Sequence, residues 1–98
     1  MPAIVIADVE ITDPAGFEEY RARVPATIAA FGGRYLVRGG ATEVKEGDWS
    51  PRRLIVLEFP SLARAREWYA SPAYAPLIAL RERSARTRLV FAEGYAGS

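Results

Sequence analysis

Residues 32–40 read GGRYLVRGG, and this stretch decides how the chain divides into helices and strands. A short strand, Arg34 to Arg38, is predicted between two glycine pairs. Gly32-Gly33 is typical of the end of a preceding helix, and Gly39-Gly40 is typical of a bend or bulge in a strand. The stretch therefore predicts a helix followed by a strand, and it indicates no particular chemistry.

The residues before this stretch predict one strand and one helix. Residues 3–11, AIVIADVEI, are β-branched and almost wholly apolar, which is typical of a strand buried on both faces. Thr12 or Asp13 is the expected N-cap of a helix that has Pro14 in its first turn. Apolar residues then follow at helical spacing. Because Pro25 falls among them, we expect the helix to be kinked or divided in two.

The residues after this stretch predict the second half of the fold. The second strand is expected to continue past the second glycine pair to Glu46, where a turn begins. A third strand is expected within residues 51–59 and a fourth over residues 88–93. Between them, Ser61 is a good N-cap for a second helix, and Ser71-Pro72 interrupts that helix before a further one begins.

The order β-α-β-β-α-β predicts an α+β, ferredoxin-like fold: a four-stranded antiparallel sheet with helices on one face. A chain of 98 residues fits a single domain over residues 1–98. The strands are apolar at nearly every position, although no helix covers the second face of such a sheet. We therefore expect this open face to pack on the same face of a second copy, giving a homodimer and a dimeric α/β barrel.

The composition excludes several kinds of site. The chain has no cysteine and no histidine, which excludes disulfides, thiol nucleophiles, catalytic histidines and ordinary zinc or copper sites. No loop resembles an all-oxygen cation site, so we expect no metal and no cofactor. The chain has a net charge of +1, and its basic residues are scattered among acidic ones, which argues against nucleic acid as a partner. The chain shows no signal-peptide pattern and no membrane-length apolar run, so we expect no membrane partner and a cytoplasmic location.

Strand alternation predicts that three charged side chains lie together on the open face. They are Asp8 on the first strand, Arg38 on the second and Glu58 on the third. One interpretation is a catalytic site in which Asp8 or Glu58, with a raised pKa, transfers a proton and Arg38 is its charge partner. The other is a buried ion-pair network that serves dimerisation.

Tyrosines are the second group of candidate site residues. Tyr20, Tyr35, Tyr69 and Tyr74 are predicted to line a pocket between the helices and the sheet. Tyr20, Tyr69 and Tyr74, with Arg38, are the residues expected to bind and orient a ligand there. The alternative is that they are core aromatics whose hydroxyls reach the surface. Trp68 and Tyr69 are neighbours on one helix, so only one of them is expected to face inward.

Four sequence blocks together resemble a known family. They are the opening strand with its Asp8, the GGRYLVRGG block, PRRLIVLEFPS at 51–61 and WYASPAYAPL at 68–77. The chain resembles domain-of-unknown-function family 1330, an uncharacterised bacterial group in the dimeric α/β-barrel superfamily. The resemblance implies a ferredoxin-like homodimer, and the wider superfamily is similar to cofactor-independent monooxygenases and muconolactone-type isomerases. Relatives often carry histidine before the first glycine pair, where this chain has Phe31, so no base is implied at that position.

Residues and resemblance together predict a small-molecule-binding homodimer. Its expected activity is a cofactor-independent isomerisation or oxygenation of a small aromatic or carboxylated compound. The alternative is a non-catalytic binding or assembly module whose buried charges serve dimerisation. The sequence does not decide between these two functions.

Overall fold

The computed structural model describes residues 1–95. Its strands form one sheet. The elements are, in chain order, β1 (Ala3–Ile11), α1 (Pro14–Ala30), β2 (Arg34–Arg38), β3 (Leu54–Phe59), α2 (Leu62–Tyr69), α3 (Ala75–Ser84) and β4 (Ala85–Glu93). The strands are ordered β2-β3-β1-β4, and every pairing is antiparallel. This confirms the predicted ferredoxin-like arrangement, with the second helical segment divided into α2 and α3.

The core lies between the helices and one face of the sheet, which we call the helix-covered face. Along β1 the buried residues alternate with half-buried ones, and the buried set is Ala3, Val5, Ala7 and Val9. The alternate residues, including Ile4 and Ile6, belong to the open face. The predicted parity of β1 is therefore confirmed. Among the described helices, none is long and apolar enough to cross a membrane.

Both predicted N-caps are present. Asp13 begins α1, and its Oδ1 accepts a hydrogen bond from Gly16 N at 3.2 Å. Ser61 begins α2, and its Oγ accepts one from Arg64 N at 3.1 Å. Each side chain satisfies a backbone N–H that has no partner inside its helix.

The first glycine pair ends α1 as predicted. Gly32 N donates to Ala29 O and Gly33 N donates to Ile28 O, each at 3.0 Å, which is the hydrogen-bond pattern of a Schellman motif. Gly32 has a φ of +78°, a conformation that glycine adopts without steric cost. The chain therefore turns from α1 directly into β2.

Pro25 lies inside α1, which runs unbroken from Pro14 to Ala30. Proline has no N–H, so the carbonyl of Arg21, four residues earlier, loses its helical donor. Arg38 Nη2 of β2 donates to that carbonyl oxygen at 3.0 Å. The predicted division of the helix is wrong, because a side chain from the sheet supplies the missing hydrogen bond.

The predicted continuation of β2 to Glu46 is also wrong. β2 ends at Arg38, and residues 39–53 form no helix or strand. Gly39 has a φ of +71°, and a Cβ at this position would collide with the Arg53 guanidinium. The turn at the second glycine pair therefore ends the strand instead of bending it, and β3 begins only at Leu54.

A β-bulge in β2 changes which face the end of the strand presents. The register of β2 against β3 shifts between Tyr35 and Val37, so Leu36 is an extra residue. A one-residue shift exchanges the two faces of a strand. Arg38 consequently pairs with Ile55 and lies on the helix-covered face. The prediction that Arg38 faces the open side is wrong, because the bulge comes before the second glycine pair.

Candidate functional site

An interior cavity of about 50 Å³ lies between the helix-covered face and the helices. Its floor is β1, where Val5, Ala7 and Val9 present small side chains. Its roof consists of larger aromatic residues, which are Phe17, Tyr20, Trp68 and Tyr74. The side chains of β1 are short and the aromatic rings opposite them are rigid, so the two layers do not come into full contact. An unfilled space remains between them.

Three buried polar atoms in the cavity wall have no hydrogen-bond partner within residues 1–95. They are Arg53 Nε, Arg81 Nε and Thr87 Oγ1. Arg81 is 6% exposed, so solvent does not provide the missing partner. Leaving a buried polar atom unpaired costs roughly 1–3 kcal/mol, and native proteins seldom do so. All three atoms line one cavity, so its wall carries hydrogen-bond donors that no acceptor within the described residues satisfies.

Arg53 and Thr87 flank Val9 in one row across the sheet. Val9 pairs with Thr87 of β4, and Val9 N donates to Arg53 O at 2.9 Å on the other side. Residues in one row share a face, so both side chains belong to the helix-covered face at the same end of the sheet. The pairing of β1 with its two neighbours thus places a cation and a hydroxyl beside the cavity.

Tyr20, Tyr74 and Arg81 form a hydrogen-bonded chain in the cavity wall. Arg81 Nη1 donates to the Tyr74 hydroxyl at 3.0 Å, and the hydroxyl oxygens of Tyr74 and Tyr20 are 2.8 Å apart. Either phenol can be the donor in this pair, because the Tyr74 oxygen can accept from Arg81 and from Tyr20 together. In both assignments one of the two hydroxyl protons is left for another acceptor.

The charge of the cavity wall is positive. No Asp or Glu of the described chain lines the cavity, whereas four arginines do, namely Arg21, Arg38, Arg53 and Arg81. Arg21 and Arg38 are the exposed members of this set, and Arg21 pairs with Glu18 on the surface of α1. The buried part of the wall therefore suits an anion or a strong hydrogen-bond acceptor.

The ionisation states of the buried groups strengthen this preference for an anion or an acceptor. Burial raises the pKa of Tyr74 far above its usual range, so this phenol stays neutral near neutral pH. Burial also raises the pKa of Tyr35. For Arg81, burial alone would lower the pKa, but the phenols of Tyr74 and Tyr20 outweigh it and the pKa is raised. The cavity thus combines a permanent cation with neutral hydrogen-bond donors.

The structure does not bring Asp8, Arg38 and Glu58 together. Glu58 pairs instead with Arg34 on the open face, where Glu58 Oε1 and Arg34 Nη2 are 2.7 Å apart. Asp8 also lies on the open face, since it follows Ile4 and Ile6 in the alternation of β1. Arg38 is on the opposite face, so the predicted cluster of these three residues is wrong.

Asp8 anchors the loop of residues 39–53. Its carboxylate accepts hydrogen bonds from Trp49 Nε1 at 3.0 Å and from Arg52 N at 2.9 Å. The bond from Trp49, with help from the backbone N–H of Arg52, lowers the pKa of Asp8 below its usual value. The predicted rise in the pKa of Asp8 is therefore wrong, because its neighbours donate to the charged form.

Replacing Asp8 with alanine is expected to release this loop from the end of the sheet, because both hydrogen bonds are lost. Trp49 should then show red-shifted and less anisotropic fluorescence, while overall stability changes little because the loop is exposed. In the native protein, the stabilisation by Asp8 is present above the ordinary carboxyl pKa and is lost as pH falls through the lowered pKa. Acid should therefore release the loop only below about pH 4.

Glu10→Ala is the matched control, since Glu10 shares the same strand and face. Trp49→Phe identifies the part of the emission that belongs to Trp49, because Trp68 is buried. Unchanged Trp49 emission in the Asp8 variant would contradict the anchoring role.

The predicted ligand-orienting residues divide between two places. Tyr20, Tyr74 and Arg38 line the cavity, whereas Tyr69 lies outside it. Trp68 is 1% exposed and Tyr69 36%, which confirms that only one of this pair faces inward. The roles of these residues in ligand binding stay predictions.

Sequence reasoning did not place Arg53, Arg81 or Thr87 in the predicted pocket. A signal for Arg81 was present, because it lies at helical spacing from Leu77 in the buried stripe of α3. Thr87 alternates with exposed arginines on β4, which also indicates an inward position. Arg53 gave no such signal, since only pairing with β1 determines its face.

The comparison with protein families covers almost the whole chain. The family described as "Domain of unknown function (DUF1330)" matches residues 2–95. The chain belongs to the DUF1330 family. This confirms the resemblance carried by the four sequence blocks, and the family description states no activity. A comparison with curated proteins finds no match.

Solved structures similar to this DUF1330 chain share its fold at low identity. The RPA0582 protein of unknown function from Rhodopseudomonas palustris has a TM-score of 0.74 and 16% identity, over 98% of this chain and 84% of its own. A dimeric ferredoxin-like protein of unknown function from Jannaschia sp. CCS1 has a TM-score of 0.71 and 14% identity, over 96% and 100%. SnoaB, a cofactor-independent oxygenase from Streptomyces nogalater, has a TM-score of 0.65 and 17% identity, over 98% and 95%. At these identities the likeness shows the fold alone.

Proposed function

We propose that this protein binds a small organic anion, an aromatic or carboxylated compound, through the interior cavity. The observation that carries the proposal is Arg81, a buried guanidinium that contacts Tyr74 and has an unpaired Nε on the cavity wall. A buried cation without a counter-charge is strongly destabilising. A ligand carboxylate would supply that charge.

The number of unpaired donors in the cavity wall supports a carboxylate in particular. A carboxylate offers two oxygens with about four acceptor positions. Arg53 Nε, Arg81 Nε and Thr87 Oγ1 are buried donors without acceptors. The hydroxyl proton that the Tyr20–Tyr74 pair leaves over is a further donor. An anionic head group satisfies these donors together, whereas a neutral amide brings donors of its own that find no acceptor there.

We further propose that catalysis, if the bound compound turns over, is a cofactor-independent isomerisation or oxygenation. The shared fold with SnoaB, which is described as a cofactor-independent oxygenase, supports this reaction class. The contribution of this chain would be electrostatic, because Arg81 and the neutral phenols would stabilise an anionic form of the substrate. Asp8 and Glu58 lie on the open face, so a catalytic role for them requires a second site there.

Native mass spectrometry of gently purified protein tests the binding proposal first. We expect a co-purified acidic small molecule or, in its absence, binding of added phenylacetate. Thermal unfolding then compares phenylacetate with phenylacetamide, which has the same shape and no charge. The carboxylate should raise the midpoint temperature and the amide should not. If both or neither stabilise the protein, the proposed anion site is wrong.

We also propose that the protein is a homodimer formed through the open face. Half-buried apolar residues occupy this face of β1 and β3, and Val90 of β4 is 56% exposed on it. Such a patch favours burial against a partner. The dimeric description of the Jannaschia protein supports a second copy as that partner. The single-domain organisation and the cytoplasmic location stay predictions.

Val90→Arg is expected to convert the dimer into a monomer, because it places a charge in the middle of the apolar face. Light scattering coupled to size exclusion measures the mass. Ala22→Arg, on the exposed side of α1, is the matched control and should stay dimeric. A dimeric Val90 variant would place the interface elsewhere.

The non-catalytic assembly module remains the alternative function, and the Arg34–Glu58 pair on the open face favours it. Under this alternative Glu58→Gln weakens the dimer, and carboxylates do not bind at all. Measuring both properties of the same variant separates the two functions.

A further inference from the structure

A second pocket, of about 410 Å³, lies at the edge of the molecule between α3 and β4. We call it the edge cleft, and its apolar lining is formed by Tyr69, Ile78 and Ala85. Arg81 and Thr87 line both the edge cleft and the interior cavity. These two residues therefore form the wall that the two spaces share.

The interior cavity is much smaller than the edge cleft, and this difference limits which part of a ligand each space can hold. An engineered apolar cavity of about 150 Å³ holds benzene, whereas the interior cavity measures about 50 Å³. It has room for a carboxylate group or a few water molecules, and not for a ring. Small-molecule sites typically measure roughly 300–1,000 Å³, and the edge cleft falls within that range.

The edge cleft also has the chemistry of an aromatic subsite. Tyr69 is 36% exposed, and its ring is held by an edge-on contact with Phe91 at 5.7 Å between centroids. A partly exposed ring in a fixed orientation is suited to contact a second ring. Glu82 and Arg86 also line the cleft and give it one exposed charge of each sign.

We propose that the ligand is an aryl carboxylate that binds across this shared wall. Its carboxylate lies at Arg81 and Thr87 and faces the interior cavity, and its ring lies in the edge cleft against Tyr69. This inference rests on the proposed function, since it requires the anion site at Arg81. It adds the chemical class of the ligand, its orientation and the residue that recognises the ring.

Two probes of different length test the orientation. Acetate has only the head group, whereas phenylacetate adds a ring, and both are titrated into isotope-labelled protein by nuclear magnetic resonance. Wild-type protein should bind phenylacetate at least about tenfold more tightly than acetate. The amide signals of residues lining the edge cleft should move with phenylacetate and stay in place with acetate.

Tyr69→Ala should weaken phenylacetate binding by about tenfold and acetate binding much less, because it removes the ring contact. Tyr69→Phe keeps the ring and removes only the hydroxyl beside Arg81, so it controls for that loss. Tyr69→Leu keeps more of the apolar bulk and should give an intermediate loss, which guards against a folding defect in the alanine variant. Arg23→Ala is the matched control, because Arg23 is an exposed arginine of α1 that lines neither space, and it should leave both affinities unchanged.

The outcomes separate the two proposals. If the wild-type protein binds neither probe, the anion site itself is wrong and this inference falls with it. If acetate binds and phenylacetate binds no more tightly, the anion site stands and the edge cleft is not the ring subsite. The same conclusion follows if Tyr69→Ala binds phenylacetate as the wild type does.

Discussion

Replacing Arg81 with methionine is expected to weaken carboxylate binding strongly without destabilising the empty protein. The guanidinium is buried and has no carboxylate partner within the described chain, so its burial opposes folding. Methionine has a similar length and no charge, so it removes this cost and keeps the packing. It also removes one hydrogen bond to Tyr74, which offsets part of the gain. We expect the free energy of unfolding to rise by about 0–2 kcal/mol.

The same change removes the principal anion contact. Hydrogen bonds to charged groups contribute about 1.5–3 kcal/mol, so phenylacetate affinity should fall roughly 10- to 100-fold. Chemical denaturation and ligand titration on the same samples measure both effects. Arg83→Met is the matched control, because Arg83 is exposed on the same helix. A variant that loses stability like a core truncation, or that still binds phenylacetate, would show that Arg81 serves the structure instead.

Replacing Trp68 with alanine is expected to cause the largest loss of stability in the chain. The Trp68 ring stacks on Tyr74 with centroids 4.2 Å apart and contacts Phe59 at 5.2 Å. Its Nε1 donates to Thr27 Oγ1 at 3.1 Å, which joins α2 to α1. Truncating a buried tryptophan to alanine typically costs about 3–5 kcal/mol. For a domain of this size, that loss lowers the unfolding midpoint by roughly 15–30 °C.

Trp49→Ala is the control for this prediction, because the other tryptophan is 54% exposed. Its midpoint should stay within a few degrees of the wild-type value. Circular dichroism during heating measures all three proteins. Equal midpoints for the two variants would contradict the assignment of Trp68 to the centre of the core.

Elements that depend on local chemistry were predictable from the sequence. The strand β1, the caps Asp13 and Ser61, and the end of α1 at Gly32 each follow from residues close together in the chain. The alternation along β1 also gave the correct division between the helix-covered face and the open face. These features need no knowledge of which strand lies beside which.

Features that depend on contacts between distant segments of the chain were not predictable in this way. The bulge at Leu36 is defined by pairing with β3, and it moved Arg38 to the other side of the sheet. The pKa of Asp8 depends on Trp49, forty-one residues away, so its local apolar strand gave the wrong direction. The cavity itself arises from Val5, Ala7 and Val9 meeting rings from three separate segments, which no single stretch of sequence describes.

The hydrogen bond from Arg38 to the carbonyl freed by Pro25 makes these two positions energetically dependent on each other. Replacing Pro25 alone would restore a backbone donor and leave the Arg38 guanidinium without its present acceptor, at the entrance of the cavity. Replacing Arg38 alone would leave a carbonyl of α1 unsatisfied. The double variant should therefore be more stable than the sum of the single changes implies. Position 25 lies in α1 and position 38 in β2. A change at the cavity entrance therefore has to consider both positions together.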